Sequence, residues 1–205
     1  MTRVLGSGLL ALALIVGSAI GTMIAPLVTS AQVTIQRGFG PTFPFGATTA
    51  TASGVLTVNT TQAATGANTT ETDLWTYSLP ANSLSADGKT VRITAYVLTA
   101  ANANNKTVKL YFGSQLVNTT TAVALNAGLV QLQMDVTRTA AATQELIGKT
   151  IYGAADGSAI TAQRSDHING TQDTTTAITI KVTGQNGTAA ANDIVFRSAL
   201  VEALN

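Results

Sequence analysis

The stretch Ile178-Thr-Ile-Lys-Val-Thr-Gly-Gln-Asn-Gly-Thr-Ala-Ala-Ala-Asn-Asp-Ile-Val-Phe-Arg-Ser-Ala-Leu-Val-Glu-Ala-Leu204 is two runs of alternating apolar residues joined by small polar ones. Alternation with period two puts every second side chain on one face of an extended chain, which is the pattern of a strand with one buried face. The Gly, Thr, Ala and Asn residues between the runs break both at the same place. The segment therefore reads as a closing β-hairpin, or as two neighbouring strands of a sandwich.

The same reading extends upstream. Val55 to Thr60 is a first candidate strand, and Asp73 to Leu79 places Trp75, Tyr77 and Leu79 on one face. Thr90 to Thr99 sets Val91, Ile93, Ala95 and Val97 against Arg92, Thr94 and Tyr96. Lys106 to Phe112 aligns Val108, Leu110 and Phe112, and Leu129 to Thr137 aligns Val130, Leu132, Met134 and Val136. Thr176 to Thr183 and Asp193 to Glu202 complete the set, with shorter candidates at Gln115 to Val117 and Glu145 to Tyr152. Turn phrases such as Ser85-Ala-Asp-Gly88 separate them, and Pro80, which cannot donate to a ladder, fits a strand end. With loops and no helical crossovers between them, the strands are expected to pair antiparallel in an all-β sandwich spanning residues 54–205.

Composition limits what such a domain does. Only 10% of the 205 residues are charged, and 11 basic against 10 acidic side chains leave a formal charge of +1. No Lys/Arg cluster occurs along the chain, so the basic stripe that neutralises phosphates is missing and nucleic acid is not an expected partner. The absence of cysteine removes disulfides and thiolate metal sites together. Stability then has to rest on core size and sheet closure, helped by oligomerisation.

The N-terminus is a different kind of sequence. No charged residue lies between Arg3 and Arg37, and Val4 to Val28 is almost wholly apolar or small. As a helix that run would be about 37 Å long, enough to cross a hydrocarbon core of about 30 Å. Three readings of residues 1–31 stay open: a secretory signal peptide ending at Thr29-Ser-Ala31, an uncleaved membrane anchor through residues 4–28, or an apolar helix buried in an assembly. Residues 32–53 form a strap and linker, in which Gln36-Arg-Gly-Phe-Gly-Pro-Thr-Phe-Pro-Phe-Gly46 interleaves Gly and Pro with Phe39, Phe43 and Phe45. Those three rings are the candidate assembly or attachment residues.

Chemistry-bearing residues are few. His167 is the only histidine, and Arg164-Ser-Asp-His-Ile-Asn-Gly170 reads as a polar surface loop of turn formers. Ser165 and Asp166 adjoin it in sequence, but a catalytic triad needs spatial convergence on an oriented imidazole, which adjacency does not supply. Glu71 and Asp73 flank a strand start, and Asp156 and Asp166 fall in loops, so no carboxylate pair is selected for glycoside hydrolysis. The Asp166 to Asp173 stretch, with Asn169 within it, offers hard oxygen ligands, although turn formation explains the same residues. No enzyme activity, cofactor or metal is expected. Among Trp75, Tyr77, Tyr96, Tyr111 and Tyr152, the tryptophan is read as core and Tyr96, opposite the apolar face of its strand, as the exposed ring and candidate ligand-binding residue.

These phrases, with Glu71-Thr-Asp-Leu-Trp-Thr-Tyr-Ser-Leu-Pro80 through Tyr96 and Asn104-Asn-Lys-Thr-Val-Lys-Leu-Tyr-Phe-Gly113, resemble the β-sandwich domain of tailed-bacteriophage structural proteins over about residues 68–205. The resemblance implies a jelly-roll topology and a place on a virion as a tail fibre, head fibre, spike or decoration. It further implies self-association, often as a trimer, contact with other virion proteins, and adhesion to a host surface or glycan. A membrane-spanning or exported N-terminus is unusual for such a protein. That segment favours the alternative of a secreted or membrane-anchored bacterial surface protein, an adhesin or filament subunit of the extracellular space or cell envelope.

Overall fold

The structure, a computed structural model, describes residues 54–120, 122–155 and 159–205. The apolar helix expected at 1–31, the strap at 32–53 with Phe39, Phe43 and Phe45, and the loop position of Asp156 lie outside the described residues. Among the described residues no helix is long and apolar enough to cross a membrane.

The described chain is all-β and antiparallel. Its strands are β1 (Gly54–Asn59), β2 (Ala63–Ala64), β3 (Thr72–Leu79), β4 (Thr90–Thr99), β5 (Asn105–Phe112), β6 (Gln115–Thr119), β7 (Val123–Ala124), β8 (Gly128–Ala140), β9 (Thr143–Ala154), β10 (Ile160–Gly170), β11 (Ile178–Asn186) and β12 (Ile194–Ala203). Four pairings are nested in sequence: β1 with β12, β3 with β11, β4 with β8 and β5 with β6. This is the connectivity of one long antiparallel ribbon. Successive ribbon pairs fall alternately into two sheets, and the β12–β4 and β11–β5 ladders knit the ribbon onto itself. The first sheet, A, runs β1-β12-β4-β8-β9-β10, with β2 on β12; the second, B, runs β3-β11-β5-β6, with β7 on β5.

One core lies between the sheets. The alternation in β4 buries Val91, Ile93, Ala95 and Val97, and that in β8 buries Val130, Leu132, Met134 and Val136. Sheet B answers with Val108, Leu110 and Phe112 from β5 and Ile178, Ile180 and Val182 from β11. Trp75 of β3 lies parallel to Phe196 of β12 across the interlayer space, with ring centroids 5.9 Å apart, and stacks on Tyr77 at 6.2 Å. Stacked aromatic pairs add to the area they bury, so this triad is a principal tie between the layers.

Three departures from the sequence reading have physical causes. First, Ile178 to Leu204 is not a hairpin: β11 pairs with β3 and β5, β12 pairs with β1, β2 and β4, and the small-residue loop between them carries the chain from one sheet to the other. Second, the β3–β11 register shifts between Trp75 and Asp73, so Leu74 is the extra residue of a β-bulge and both Leu74 and Trp75 turn inward. Gly184 makes room for it, since a Cβ there would approach Leu74 Cδ1 to 2.9 Å. Third, the polar stretch around His167 is not a loop. It is β10, paired along its length with β9.

The polarity of β10 follows from its place. It is the edge of sheet A, and its inward positions are Ala162, Arg164, Asp166, Ile168 and Gly170, of which only Gly170 is fully buried. Arg164 donates to Asp166 Oδ1 at 2.8 Å, which pairs two opposite charges on the partly covered face and leaves Oδ2 without a protein partner. Beside them, β6 reaches across the layers: Asn118 Nδ2 donates to Gln133 O of β8 and Thr150 Oγ1 of β9, each at 3.2 Å.

Candidate functional site

The outer face of sheet B collects side chains from three strands that are distant in sequence. Register places Asp73 of β3, Thr183 of β11 and Lys109 of β5 in one row, and Thr76, Lys181, Tyr111 and Leu116 in the next. Glu71, just before β3, reaches over this surface. Tyr111 Oη donates to Glu71 Oε1 at 2.8 Å and Thr183 Oγ1 donates to the same oxygen at 2.6 Å, while Lys109 Nζ donates to Oε2. Lys181 bonds Asp73 at 3.3 Å, and its ammonium stands 5.0 Å from the centre of the Tyr111 ring.

The electrostatics are those of a preorganised network. Burial pulls the Glu71 carboxyl upward, but hydrogen bonds from Lys109, Thr183 and Tyr111, with the Lys109 charge, outweigh it and hold Glu71 at about 2. The same hydrogen bond raises Lys109. Tyr111 is raised as well, by burial first and by its bond to Glu71 second. Glu71 is thus a fixed acceptor at neutral pH and Tyr111 a fixed phenol. A cation over the ring adds a favourable quadrupole interaction.

Lys181 also borders a depression of about 490 Å³ shared by Ser114, Gln172, Asp173, Thr176 and Thr179. Gly113 forms its floor with φ near +59°, a left-handed conformation in which a Cβ would overlap the Gln172 amide. Asp173 turns its carboxylate back to Thr175, accepting from the backbone N–H at 2.9 Å and from Oγ1 at 2.7 Å, and these bonds lower its pKa. The surface thus sets the partly buried Tyr111 ring beside hydroxyls, an amide and charges of both signs.

Tyr96, the ring singled out from the sequence, sits elsewhere. It lies on the outer face of sheet A, 36% exposed, opposite Ser198 of β12 and Gln131 of β8. Trp75 is buried, as its strand pattern implied. His167 faces outward on β10, with Nε2 3.4 Å from Glu145 Oε1 and both side chains about half exposed. Asp166 and Asp173 do not share a ligand set: one is held by Arg164, the other by Thr175. Among the described residues no group of three or more His, Cys, Asp or Glu side chains is placed to hold a metal ion.

The sequence named Glu71, Asp73 and Tyr111 but did not join them to Lys109, Lys181 and Thr183. The available signal was the register of three strands: odd-numbered positions of β5 and β11 share the solvent face, so 109, 111, 181 and 183 must meet once β5 and β11 are known to pair.

No family model matches the sequence, and no curated protein matches it. Among solved structures, the chain is similar to the CBM2 module of the evolved Dit of Lactobacillus casei BL23 phage J-1, at 11% identity and a TM-score of 0.31, over 62% of this chain and 67% of that one.

Proposed function

We propose that the chain is a non-enzymatic structural protein of a phage particle, displayed as a fibre, spike or decoration, and that it adheres to a host-surface glycan through the outer face of sheet B. The observation that carries the adhesion reading is the joined surface of Tyr111, Glu71, Lys109 and Lys181 beside the polar depression at Ser114, Gln172 and Thr179. A sugar presents apolar C–H faces and hydroxyl edges. Tyr111 is the ring that would meet the first, and the fixed carboxylate, amide and hydroxyls would meet the second. The two ammonium groups against Glu71, Asp73 and Asp173 leave little net charge, which favours a neutral ligand over a phosphate.

The nested strand order, β1-β12-β4-β8 facing β3-β11-β5-β6, supports reading the domain as a jelly roll with the β9–β10 hairpin appended to one sheet. The non-enzymatic reading is supported by His167, whose Nε2 stands 3.4 Å from the half-exposed Glu145 carboxylate on an open edge strand. The virion reading is supported by the strand phrases over residues 68–205. The apolar run Val4 to Val28 supports a second reading, an exported or anchored bacterial surface protein. Peptide mass spectrometry of purified particles and of the producing cell's envelope separates the two. Enrichment in particles with residues 1–31 retained is the expected result; enrichment in envelope or medium with a chain starting at Gln32 overturns the virion assignment.

A further inference from the structure

The register of sheet A aligns its outward side chains in rows that cross the strands. One row runs Ala64, Val195, Leu98, Leu129, Gly153 and Ile160 over β2, β12, β4, β8, β9 and β10. Val195, Leu98 and Leu129 alternate with buried residues of the core, so the row lies on the outer face, and none of its six members has a polar side chain. The next row, Ser198, Tyr96, Gln131, Ile151 and Gln163, carries no charge either. Charge begins in the third row with Lys149, and in the fourth Arg92 is neutralised by Asp135 through bonds of 2.7 and 2.8 Å. Among the uncharged rows, Leu129, Ile151, Gly153 and Ile160 line a depression of about 130 Å³, room for one side chain, and Ile160 is 71% exposed.

The two sheets differ in what they turn outward. Among the described residues, six of the large apolar side chains exposed on strands belong to sheet A and one, Leu116, to sheet B. Sheet B instead presents Asp73, Lys109 and Lys181, with Glu71 above them. Single exposed apolar residues are ordinary on a surface, whereas an uncharged band across a whole sheet marks a contact.

We propose that this band is the contact between two copies of the chain, packed with sheet A against sheet A. A two-fold contact sets a patch against itself, so any charge in the patch meets its own sign; the two uncharged rows have nothing to repel. Two copies of one sheet share one twist, and sheets of equal twist pack face to face at about 30°, as the layers of a sandwich do. Six strands about 4.8 Å apart, crossed by four rows about 6.8 Å apart, make a face of about 780 Å², against about 800 Å² per partner in a standard interface. The rows of Lys149 and of Arg92 with Asp135 then form the polar rim around an apolar centre. Sheet B stays uncovered in both copies, and the contact stands whether or not sheet B binds a glycan.

The chain has no cysteine, so a single introduced thiol is unique. Full-length Gln131→Cys puts one near the middle of the uncharged rows, and Thr76→Cys puts one on the exposed outer face of sheet B. Each folded protein is treated with a bis-maleimide about 10 Å long, the spacing of packed sheets. The expected result is at least tenfold more covalent dimer from Gln131→Cys than from Thr76→Cys. Adding Tyr96→Lys to Gln131→Cys should lower that yield at least tenfold, because a two-fold contact meets each new charge twice. Equal yields from the two positions overturn the proposal, as does an unchanged yield with Tyr96→Lys in folded protein. A thiol at position 131 that takes up a monofunctional maleimide freely and forms no dimer shows an open face. One that resists maleimide and forms no dimer is covered by something other than a second copy, and either result overturns the proposal. The comparison of positions 131 and 76 decides alone, so a Tyr96→Lys protein that does not fold leaves the test intact.

Discussion

Gly148 on β9 faces inward, directly beneath the Asn118 amide of β6. A Cβ at this position would lie 2.6 Å from Asn118 Oδ1, 2.8 Å from Cγ and 2.9 Å from Nδ2. Gly148→Ala gains up to about 1 kcal/mol by removing a flexible residue from a strand. Against that, overpacking costs about 1–3 kcal/mol, and pushing the amide aside breaks its bonds to Gln133 O and Thr150 Oγ1, at about 1 kcal/mol each. The net expectation is a loss of about 2–4 kcal/mol. Asn118→Ala alone should cost less, about 1 kcal/mol, because it removes a buried Oδ1 that has no protein partner along with the two bonds. In the double variant the new methyl enters the space the amide left, so it should be more stable than Gly148→Ala by about 1 kcal/mol or more. Denaturant unfolding followed by the fluorescence of Trp75, the only tryptophan, measures all four proteins. A Gly148→Ala variant within about 0.5 kcal/mol of wild type, or strictly additive losses, would refute the placement of β6 over β9.

Other consequences follow from the same geometry. Because Glu71 is held at about 2 against an ordinary 4.5, its contribution is fully present above about pH 4.5 and is lost as pH falls toward 2. With its side chain 29% exposed, screening reduces that contribution to about 1 kcal/mol, so Glu71→Gln should cost that much at pH 7 and flatten the stability profile between pH 4.5 and 2. Phe196→Ala, which removes the ring stacked 5.9 Å from Trp75, should cost about 3–5 kcal/mol and red-shift the Trp75 emission of the native state. Gly113→Ala should destabilise by about 1–2 kcal/mol, through its positive φ and its collision with Gln172, and loosen the depression beside Lys181; a thermal melt at or above wild type would count against the turn geometry.

How legible the fold was in the sequence depended on how completely each strand was covered. β4 matches its sequence reading at both ends because both of its neighbours are in place and its inward face is Val, Ile, Ala and Val. β10 was invisible because it is an edge whose inward face holds Arg164 and Asp166, so no apolar period marks it, and Asn169-Gly170 mimics a turn. The two-residue strands β2 and β7 are too short to carry a period at all. The crossing of Ile178 to Leu204 from sheet to sheet could not be told from a hairpin, since alternation reports a buried face and not the partner across the ladder. The candidate site was half legible for the same reason: Tyr111 and Glu71 could be named, but their meeting with Lys109, Lys181 and Thr183 depends on pairing. Tyr96 was placed correctly on an outward face, on the sheet opposite the polar cluster.

The adhesion claim is tested most directly by glycan-array and host-cell binding with the full-length wild type, Tyr111→Ala and Tyr96→Ala, each first shown by Trp75 fluorescence to be folded. Saturable binding to a neutral glycan that falls at least tenfold in Tyr111→Ala and persists in Tyr96→Ala is the predicted result. Binding abolished by Tyr96→Ala and untouched by Tyr111→Ala, or no glycan bound at all, would contradict the account.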